Sequence, residues 1–469
     1  MRRRAKIICT IGPASVEKKV VGGLIKRGMD VARLNFSHGT HAFHESAIRT
    51  IREEAERHRK TVAVMLDLQG IKIRVGTLKG SRVELKRGQM VTIRHGGGPG
   101  DQGTIYIKYP RLIEASGEGH RILLSDGLIE LHITEKGKDY LRAVVKTGGI
   151  LREKKGVNLP GLRPVDVSFT KKDEADLRLG MRMGVDYVAL SFVRTKNDVL
   201  ALRDFLSREK AESLPVIAKI ETPQGIKNLD EILPLVDGIM VARGDLGVEI
   251  PPENLPMVQK SLIEKANIAG KLVIVATEML ESMTLRPRPT RAETTDVSNA
   301  ILDGADAVML SQETSVGNYP LEALDMMGRI VEETELSLPI HSRYRQKGTF
   351  SEAVARAATD AAQSVKARYI IAFTQSGSTA KLISMLRPEV EIIAFSPSRR
   401  VMRRMALYWG VLARRIRKLK SMDAQFREVE KALLSEKLAR KGDTIVITAG
   451  TPNVQGTTRL MKLHVIGRE

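Results

Sequence analysis

Val216-Ile217-Ala218-Lys219-Ile220-Glu221-Thr222 and Ile239-Met240-Val241-Ala242-Arg243-Gly244-Asp245 are short apolar runs that end in charge. Side chains two apart on a strand share a face. Lys219 and Glu221 therefore point the same way, and Asp245 closes the second run. Desolvating a lysine and two carboxylates at the ends of apolar strands is costly unless they bind something. A divalent metal with an anionic substrate is the ligand pair that meets this cost.

Six more runs of the same kind flank these two. They are Lys6–Ile11, Val31–Phe36, Val62–Leu68, Tyr187–Val193, Leu272–Thr277 and Ala307–Leu310, and the second opening run is best bounded as Gly238–Arg243. Near-continuous apolar strands are those of a parallel sheet buried on both faces. Charged stretches with helical period, such as Lys171–Met183 and Glu253–Ala269, lie between them. Strand–helix alternation predicts an α/β fold, and eight repeats predict the eight-stranded (β/α) TIM barrel.

One connection is abnormally long. From Gly70 to Pro164 the chain carries Val83-Glu84-Leu85, Val91-Thr92-Ile93, Ile122-Leu123-Leu124 and Leu141–Val145, punctuated by Gly and Asp turns. This predicts an inserted β-barrel lid domain over the barrel mouth. After Pro339 the pattern restarts with the Ala-rich helix Ala353–Val365 and strands Tyr369–Phe373, Ile392–Phe395, Thr444–Thr448 and Leu463–Ile466. The expected division is 1–69 with 165–338 as the catalytic barrel, 70–164 as the lid and 339–469 as a C-terminal α/β regulatory domain.

The 469 residues are 42% hydrophobic and 28% charged, a soluble globular balance. No apolar run approaches the roughly 18 residues of a membrane span, and Ile7–Ile11 is too short for the apolar core of a signal peptide. With a single cysteine, Cys9, the expected compartment is the cytoplasm. Net charge is +21, spread along the chain with late Arg399-Arg400, Arg403-Arg404 and Arg414-Arg415 pairs. Such a balance suits a solvated basic surface, anionic small ligands or nucleic acid. Aromatics at 4% and the absence of zinc-ligand spacing speak against nucleic acid.

A barrel carries its chemistry at the C-terminal ends of its strands. Those ends supply Arg33, Asn35, Ser37, His38, Asp67, Ser191, Lys219, Glu221, Asp245, Thr277 and Ser311. Asn35, Ser37 and Ser311 also suit turns or caps, and His38 also suits a surface loop. Arg33, in the middle of Val31-Ala32-Arg33-Leu34-Asn35, needs a partner if buried. Lys219 and Glu221 alone would make a satisfied core ion pair; Asp245 adds a second carboxylate that needs charge balance. Gly244 allows close backbone approach to an anion.

These runs sit in a wider series of motifs. Ile7-Ile8-Cys9-Thr10-Ile11-Gly12-Pro13-Ala14-Ser15, Ala32–Gly39, Lys154–Gly161, Lys219-Ile220-Glu221, Val241–Gly247, Ala276–Met283 and Pro287–Glu293 occur in order from Lys6 to about Leu324. The series resembles the pyruvate kinase family; the C-terminal third resembles it more loosely. The resemblance implies transfer of the phosphoryl group of phosphoenolpyruvate to ADP, giving ATP and pyruvate in the last step of glycolysis. It implies Glu221 and Asp245 as ligands of magnesium or manganese, Lys219 as the transition-state cation, and Arg33 on the phosphoryl group. It implies Gly244 and Asp245 at the substrate carboxylate and Thr277 near the carbon that is protonated. The implied nucleotide site is Pro13, Asn35, His38 and Arg74, with Lys155 from the lid. A homotetramer is implied, with no nucleic-acid or membrane partner.

Two sites depart from the commoner family pattern. Where many relatives read Asp-Thr-Lys-Gly-Pro-Glu, this chain reads Asp67-Leu68-Gln69-Gly70-Ile71-Lys72. Asn35, Ser37 and Asp67 match the remaining monovalent-site positions, while the Lys72 ammonium replaces the cation, so potassium is expected to be dispensable. Glu278 stands where glutamine is common. In the C-terminal domain, Thr374-Gln375-Ser376-Gly377-Ser378-Thr379 follows a strand and precedes a helix. It suits a plain turn or, through Thr374, Ser376, Gly377, Ser378 and Thr379, the phosphate of an allosteric effector. The rival enzyme class is a barrel lyase or aldolase acting through a metal enolate, which would need neither Arg74 nor Lys155.

Overall fold

The computed structural model describes residues 3–71, 73–160, 168–337, 341–345, 348–417, 421–450 and 458–468. Eight parallel strands close a ring: β1 (Lys6–Thr10), β2 (Val31–Asn35), β3 (Ala63–Asp67), β4 (Tyr187–Leu190), β5 (Val216–Ile220), β6 (Gly238–Ala242), β7 (Leu272–Ala276) and β8 (Ala307–Leu310). Each pairs with its chain neighbour, and β8 returns to β1. The eight expected strands are all present. Seven of the eight stop one to three residues short of the apolar run that announced them, because the last residues of each run turn away into the loops at the mouth.

Alternation along the strands sorts the core into two sets. Ile7, Cys9, Ala32, Leu34, Val64, Leu66, Val188 and Leu190 face the surrounding helices. Ile8, Val31, Met65, Ala189, Ile217, Met240, Ile274 and Met309 belong to a second set that continues into the C-terminal domain. Stepping two residues along β1 to β5 from that inner layer reaches Thr10, Arg33, Asp67, Ser191 and Lys219. The period of two thus stacks a polar layer on an apolar one.

The other end of the barrel is tied by a repeated device. Asp30, Asp186, Asp237 and Asp306 immediately precede β2, β4, β6 and β8. Each accepts the first or second backbone N–H of the adjacent odd strand, from Ile7, Val64, Val216 and Val273, at 2.8–2.9 Å. Each is also paired with arginine: Arg3, Arg52 with Arg403, Arg203 and Arg387 respectively. Arg387 and Arg403 come from the C-terminal domain, so two of the four ties bind it to the barrel floor.

Hydrogen bonding organises the expected lid barrel as a six-stranded sheet and a separate two-stranded ladder of Arg82–Leu85 with Gly149–Arg152. Lid strands not anticipated from the sequence include Thr104–Ile107 and Ile129–Lys136. The C-terminal sheet has five strands in the order Val411–Arg415, Glu391–Ser396, Tyr369–Phe373, Thr444–Gly450 and Thr458–Val465, the last antiparallel. Among the described residues, no helix is long and apolar enough to cross a membrane.

Candidate active site

Asp67, at the end of β3, is the hub of the polar layer. Its Oδ2 accepts from Arg33 Nε at 2.6 Å, and its Oδ1 lies 3.3 Å from Lys219 Nζ. Arg33 also donates to Thr10 Oγ1 at 2.9 Å. Lys219 donates to Ser191 Oγ at 2.8 Å and stands 3.0 Å from Glu221 Oε1. All of these side chains are buried. Five strand ends thus meet around two cations and two carboxylates.

Burial alone would push the Lys219 ammonium toward neutrality, but the charges of Asp67 and Glu221 outweigh it and hold its pKa above the ordinary lysine value. Burial would likewise raise Asp67, but Lys219 and Arg33 hold it below the ordinary carboxylate range. Glu221 goes the other way. Burial pushes its carboxyl up, Lys219 opposes this, and Asp245 adds to it.

Asp245 lies in the first turn of the helix Arg243–Glu249, and is half-buried at the mouth. Glu221 accepts the Phe192 N–H on Oε2 at 2.6 Å, while its buried Oε1 faces the Lys219 ammonium at 3.0 Å. That oxygen and Asp245 form a two-carboxylate donor set. No described group of three or more His, Cys, Asp or Glu is arranged to hold a metal. The pair suits an ion such as magnesium that takes one or two carboxylates and completes its shell with water and substrate oxygens.

Across the mouth, Thr277 and Glu278 have φ of +68° and +54°. A β-branched residue there is strained. The surroundings that hold it are visible. Arg243, buried, donates through Nη2 to the carbonyls of Thr277 at 2.8 Å and Glu278 at 3.3 Å, and is anchored by Asp296 at 2.6 Å. Thr277 Oγ1 in turn accepts the Gly244 N–H at 2.7 Å. Strand ends β6 and β7 are locked together beside Asp245.

Two family models cover most of the chain. Residues 2–324 match the pyruvate kinase barrel domain and residues 352–464 the pyruvate kinase alpha/beta domain. The chain belongs to the pyruvate kinase family. It is 46% identical over 475 residues to the pyruvate kinase of Sporosarcina psychrophila, covering 99% of this chain and 81% of that one. It is 44% identical to that of Geobacillus stearothermophilus, with the same coverage. A crystal structure of a pyruvate kinase from Cryptosporidium parvum superposes with a TM-score of 0.94 at 38% identity, covering 99% of this chain and 96% of that one. Membership makes the chain a phosphotransferase, and the family generally uses a divalent metal.

The structure brings some of the expected pyruvate kinase residues into contact and leaves others apart. Arg33, Asp67, Lys219 and Glu221 are joined by direct contacts, and the charge of Asp245 reaches Lys219 and Glu221. Gly244 and Thr277 are joined by their hydrogen bond. Pro13 and His38 are exposed on the loops after β1 and β2, and Asn35 is half-buried at the end of β2; Asn35 Oδ1 accepts the Ser37 N–H at 3.1 Å. Arg74 donates to the Lys154 carbonyl at 3.1 Å within the lid, and Lys155 is exposed beside it. Lys72 lies outside the described residues. In the C-terminal domain Thr374 Oγ1 accepts the Gly377 N–H at 2.8 Å, Ser376 and Ser378 hydroxyls are 3.0 Å apart, and Thr379 bonds Thr458. Gly377 has φ +93°, which the turn requires.

Arg243 and Asp296 were not among the expected site residues. An arginine closing the apolar run Gly238–Arg243 carried the same signal as Arg33 and could have been found by it. Glu249 and Asn158 also escaped notice. Asn158 Nδ2 donates to Glu249 Oε1 at 2.9 Å from lid to barrel. Burial pushes the Glu249 carboxyl up to about 7; the Asn158 hydrogen bond and Arg121 oppose this, and Asp245 adds to it. Their signal, a lone Asn and a lone Glu in separate segments, is that of any solvated residue until the inserted segment is packed against the barrel.

Proposed function

We propose that this chain transfers the phosphoryl group of phosphoenolpyruvate to ADP, giving ATP and pyruvate. The observation that carries the reading is the buried Arg33–Asp67–Lys219–Glu221 chain at the C-terminal mouth of the barrel. Two cations held by buried carboxylates cannot relax away when an anion enters, which is the preorganisation that phosphoryl transfer needs.

In this reading Arg33 binds the transferring phosphoryl group, with its guanidinium already fixed by Asp67 and Thr10. Lys219, kept charged by its carboxylates, faces the charge that develops on the bridging oxygen as the ADP oxygen attacks phosphorus in line. Glu221 and Asp245 would hold a magnesium or manganese ion, which would supply Lewis-acid charge to the bound anion. Gly244 and Asp245 offer backbone N–H to the substrate carboxylate, the Gly244 N–H being shared with Thr277. The enolate left behind takes a proton at carbon, on the side where Thr277 stands. Pro13, Asn35, His38 and Arg74 bind the nucleotide, and Lys155 reaches it from the lid.

The finer assignments belong to the same reading. Residues 1–69 with 165–338 act as the catalytic barrel, 70–164 as the lid and 339–469 as a regulatory domain whose Thr374–Thr379 turn takes a phosphorylated effector. Potassium is dispensable, with Lys72 in its place. Both oxygens of Asp67 already face Arg33 or Lys219, and the Leu68 side chain is buried in the apolar core, which supports this. A homotetramer in the cytoplasm suits the exposed apolar Met257 and Leu285 on the outside of the barrel and the single buried Cys9. The deciding assay follows pyruvate formation from phosphoenolpyruvate with magnesium, with and without ADP. Pyruvate formation that requires ADP and yields ATP supports the reading. Pyruvate formed equally without ADP would mean transfer of the phosphoryl group to water, a phosphatase reaction, and no pyruvate in either case would leave the barrel lyase class; each outcome refutes the reading.

A further inference from the structure

The lid meets the barrel at one end of the helix that bears Asp245. Asn158 lies in the short strand Val157–Asn158, paired with Leu123 and Leu124 of the lid sheet. Its side chain crosses to Glu249, one helical turn beyond Asp245, and Glu249 is buried there. Beside it, the lid turn Ser125-Asp126-Gly127 holds three successive residues at φ +52°, +58° and +83°. A Cβ on Gly127 would come within 3.3 Å of Val248 Cγ1, so the turn rests against that residue. Two lid segments that share the Ser125 N–H to Gly156 carbonyl hydrogen bond therefore land on two consecutive residues, Val248 and Glu249.

The helix they land on is itself fixed to the barrel. Its start is held by the Gly244–Thr277 hydrogen bond, and Leu246 is fully buried in the barrel core. It serves as a rigid post. The inserted domain is tied to the barrel in sequence by the connections near residues 70 and 164; the Asn158 contact lies close to the second of these and the Gly127 contact well away from both, so the two together give the insert a second point of support on the barrel.

We propose that Glu249 and Asn158 are positioning residues, a catch that holds the lid closed over the cleft so that Lys155 and Arg74 reach the nucleotide. The proposal rests on the phosphoenolpyruvate:ADP phosphotransferase reading of the barrel mouth. Neither residue touches the reacting atoms. Asp126, Asp245 and Glu249 line the cleft beneath the lid with Phe192, Arg194 and Gln224, which is the space the catch encloses.

The test is a double-mutant cycle on the full chain with Glu249→Ala and Asn158→Ala, together with Glu249→Gln, whose amide oxygen still accepts from Asn158. Hydrogen exchange is read without ligand at residues 125–128 and 156–158, and kcat/KM for ADP is compared with the dissociation constant for phosphoenolpyruvate alone. Leaving one partner of a buried hydrogen bond unsatisfied predicts a loss of kcat/KM for ADP on the order of tenfold in each alanine variant. Exchange accelerates in both segments, phosphoenolpyruvate affinity is unchanged, the double variant is no worse than either single, and Glu249→Gln stays near wild type. Additive losses, unchanged exchange, or a Glu249→Gln variant as impaired as Glu249→Ala would each overturn the catch. If the wild type makes no ATP, the function reading fails, and the exchange arm still decides the catch.

Discussion

Lys219→Met removes the ammonium from the centre of the polar layer and keeps most of the side chain's length. Its consequences differ for the two carboxylates it leaves. Asp67 keeps Arg33 at 2.6 Å. Glu221 keeps only the Phe192 N–H at 2.6 Å, and still faces Asp245. A unit pair at the 3.0 Å separation of Lys219 and Glu221 attracts by about 5 kcal/mol at an effective dielectric of about 20. Much of that offsets desolvation, and breaking a buried pair costs roughly 3–5 kcal/mol. The variant should therefore unfold at lower temperature, and Glu221 should take up a proton more readily than in the wild type. A divalent cation placed between Glu221 and Asp245 replaces the missing charge, so added magnesium should raise the unfolding temperature more in the variant than in the wild type. Turnover should fall by at least about 10²–10³, the effect of losing one preorganised transition-state charge. Phosphoenolpyruvate should still bind through Arg33. The assays are thermal unfolding with and without magnesium, equilibrium binding of phosphoenolpyruvate, and coupled steady-state turnover. A variant within about tenfold of wild-type kcat would refute the role of Lys219. An equal magnesium shift in both proteins would refute the charge balance argued for Glu221.

The buried Glu249 makes stability depend on pH. Its carboxyl titrates at about 7 folded against 4.5 ordinarily, so the folded state holds its proton more tightly. Its contribution is complete below 4.5 and is lost as pH rises through 7, a change of about 3 kcal/mol. Glu249→Gln should match the wild type near pH 4.5 and exceed it in unfolding temperature above pH 7; a gap that does not grow with pH speaks against the burial argument. Turnover should proceed without potassium, and Lys72→Glu with Leu68→Thr should impose a potassium requirement; full dependence of the wild type on added potassium ends that reading. Ser376→Asp places a carboxylate in the Thr374–Thr379 turn and should abolish activation by a phosphorylated effector while leaving unactivated turnover intact. Activation that survives unchanged removes the effector from that turn.

The eight apolar runs were readable because burial on both faces is a local, continuous signal. The two halves of the opening stretch were readable because charge at the end of such a run breaks that signal. Val411–Arg415 was not recognised as a strand, since its two arginines resemble a loop while its place at the sheet edge gives them water. Strand ends were overextended for a related reason. Glu221 and Thr277 continue the chemistry of their runs, yet their backbones have already left the ladder.

Pattern alone determined the barrel, the inserted β segment, the second α/β unit, and the inventory of charges at the mouth. Which charges meet was decided only by closing the ring. Asp67 touches both Arg33 and Lys219 because β2, β3, β4 and β5 curve so that equal steps from the inner apolar layer arrive at one point. The strained Thr277–Glu278 turn, its Arg243 staple and the Asn158–Glu249 contact likewise join segments 34, 35 and 91 residues apart. Periodicity reports which face a residue takes on its own element. It carries no term for the neighbour that a distant element brings to that face, and in this protein those neighbours set the charge states of the site.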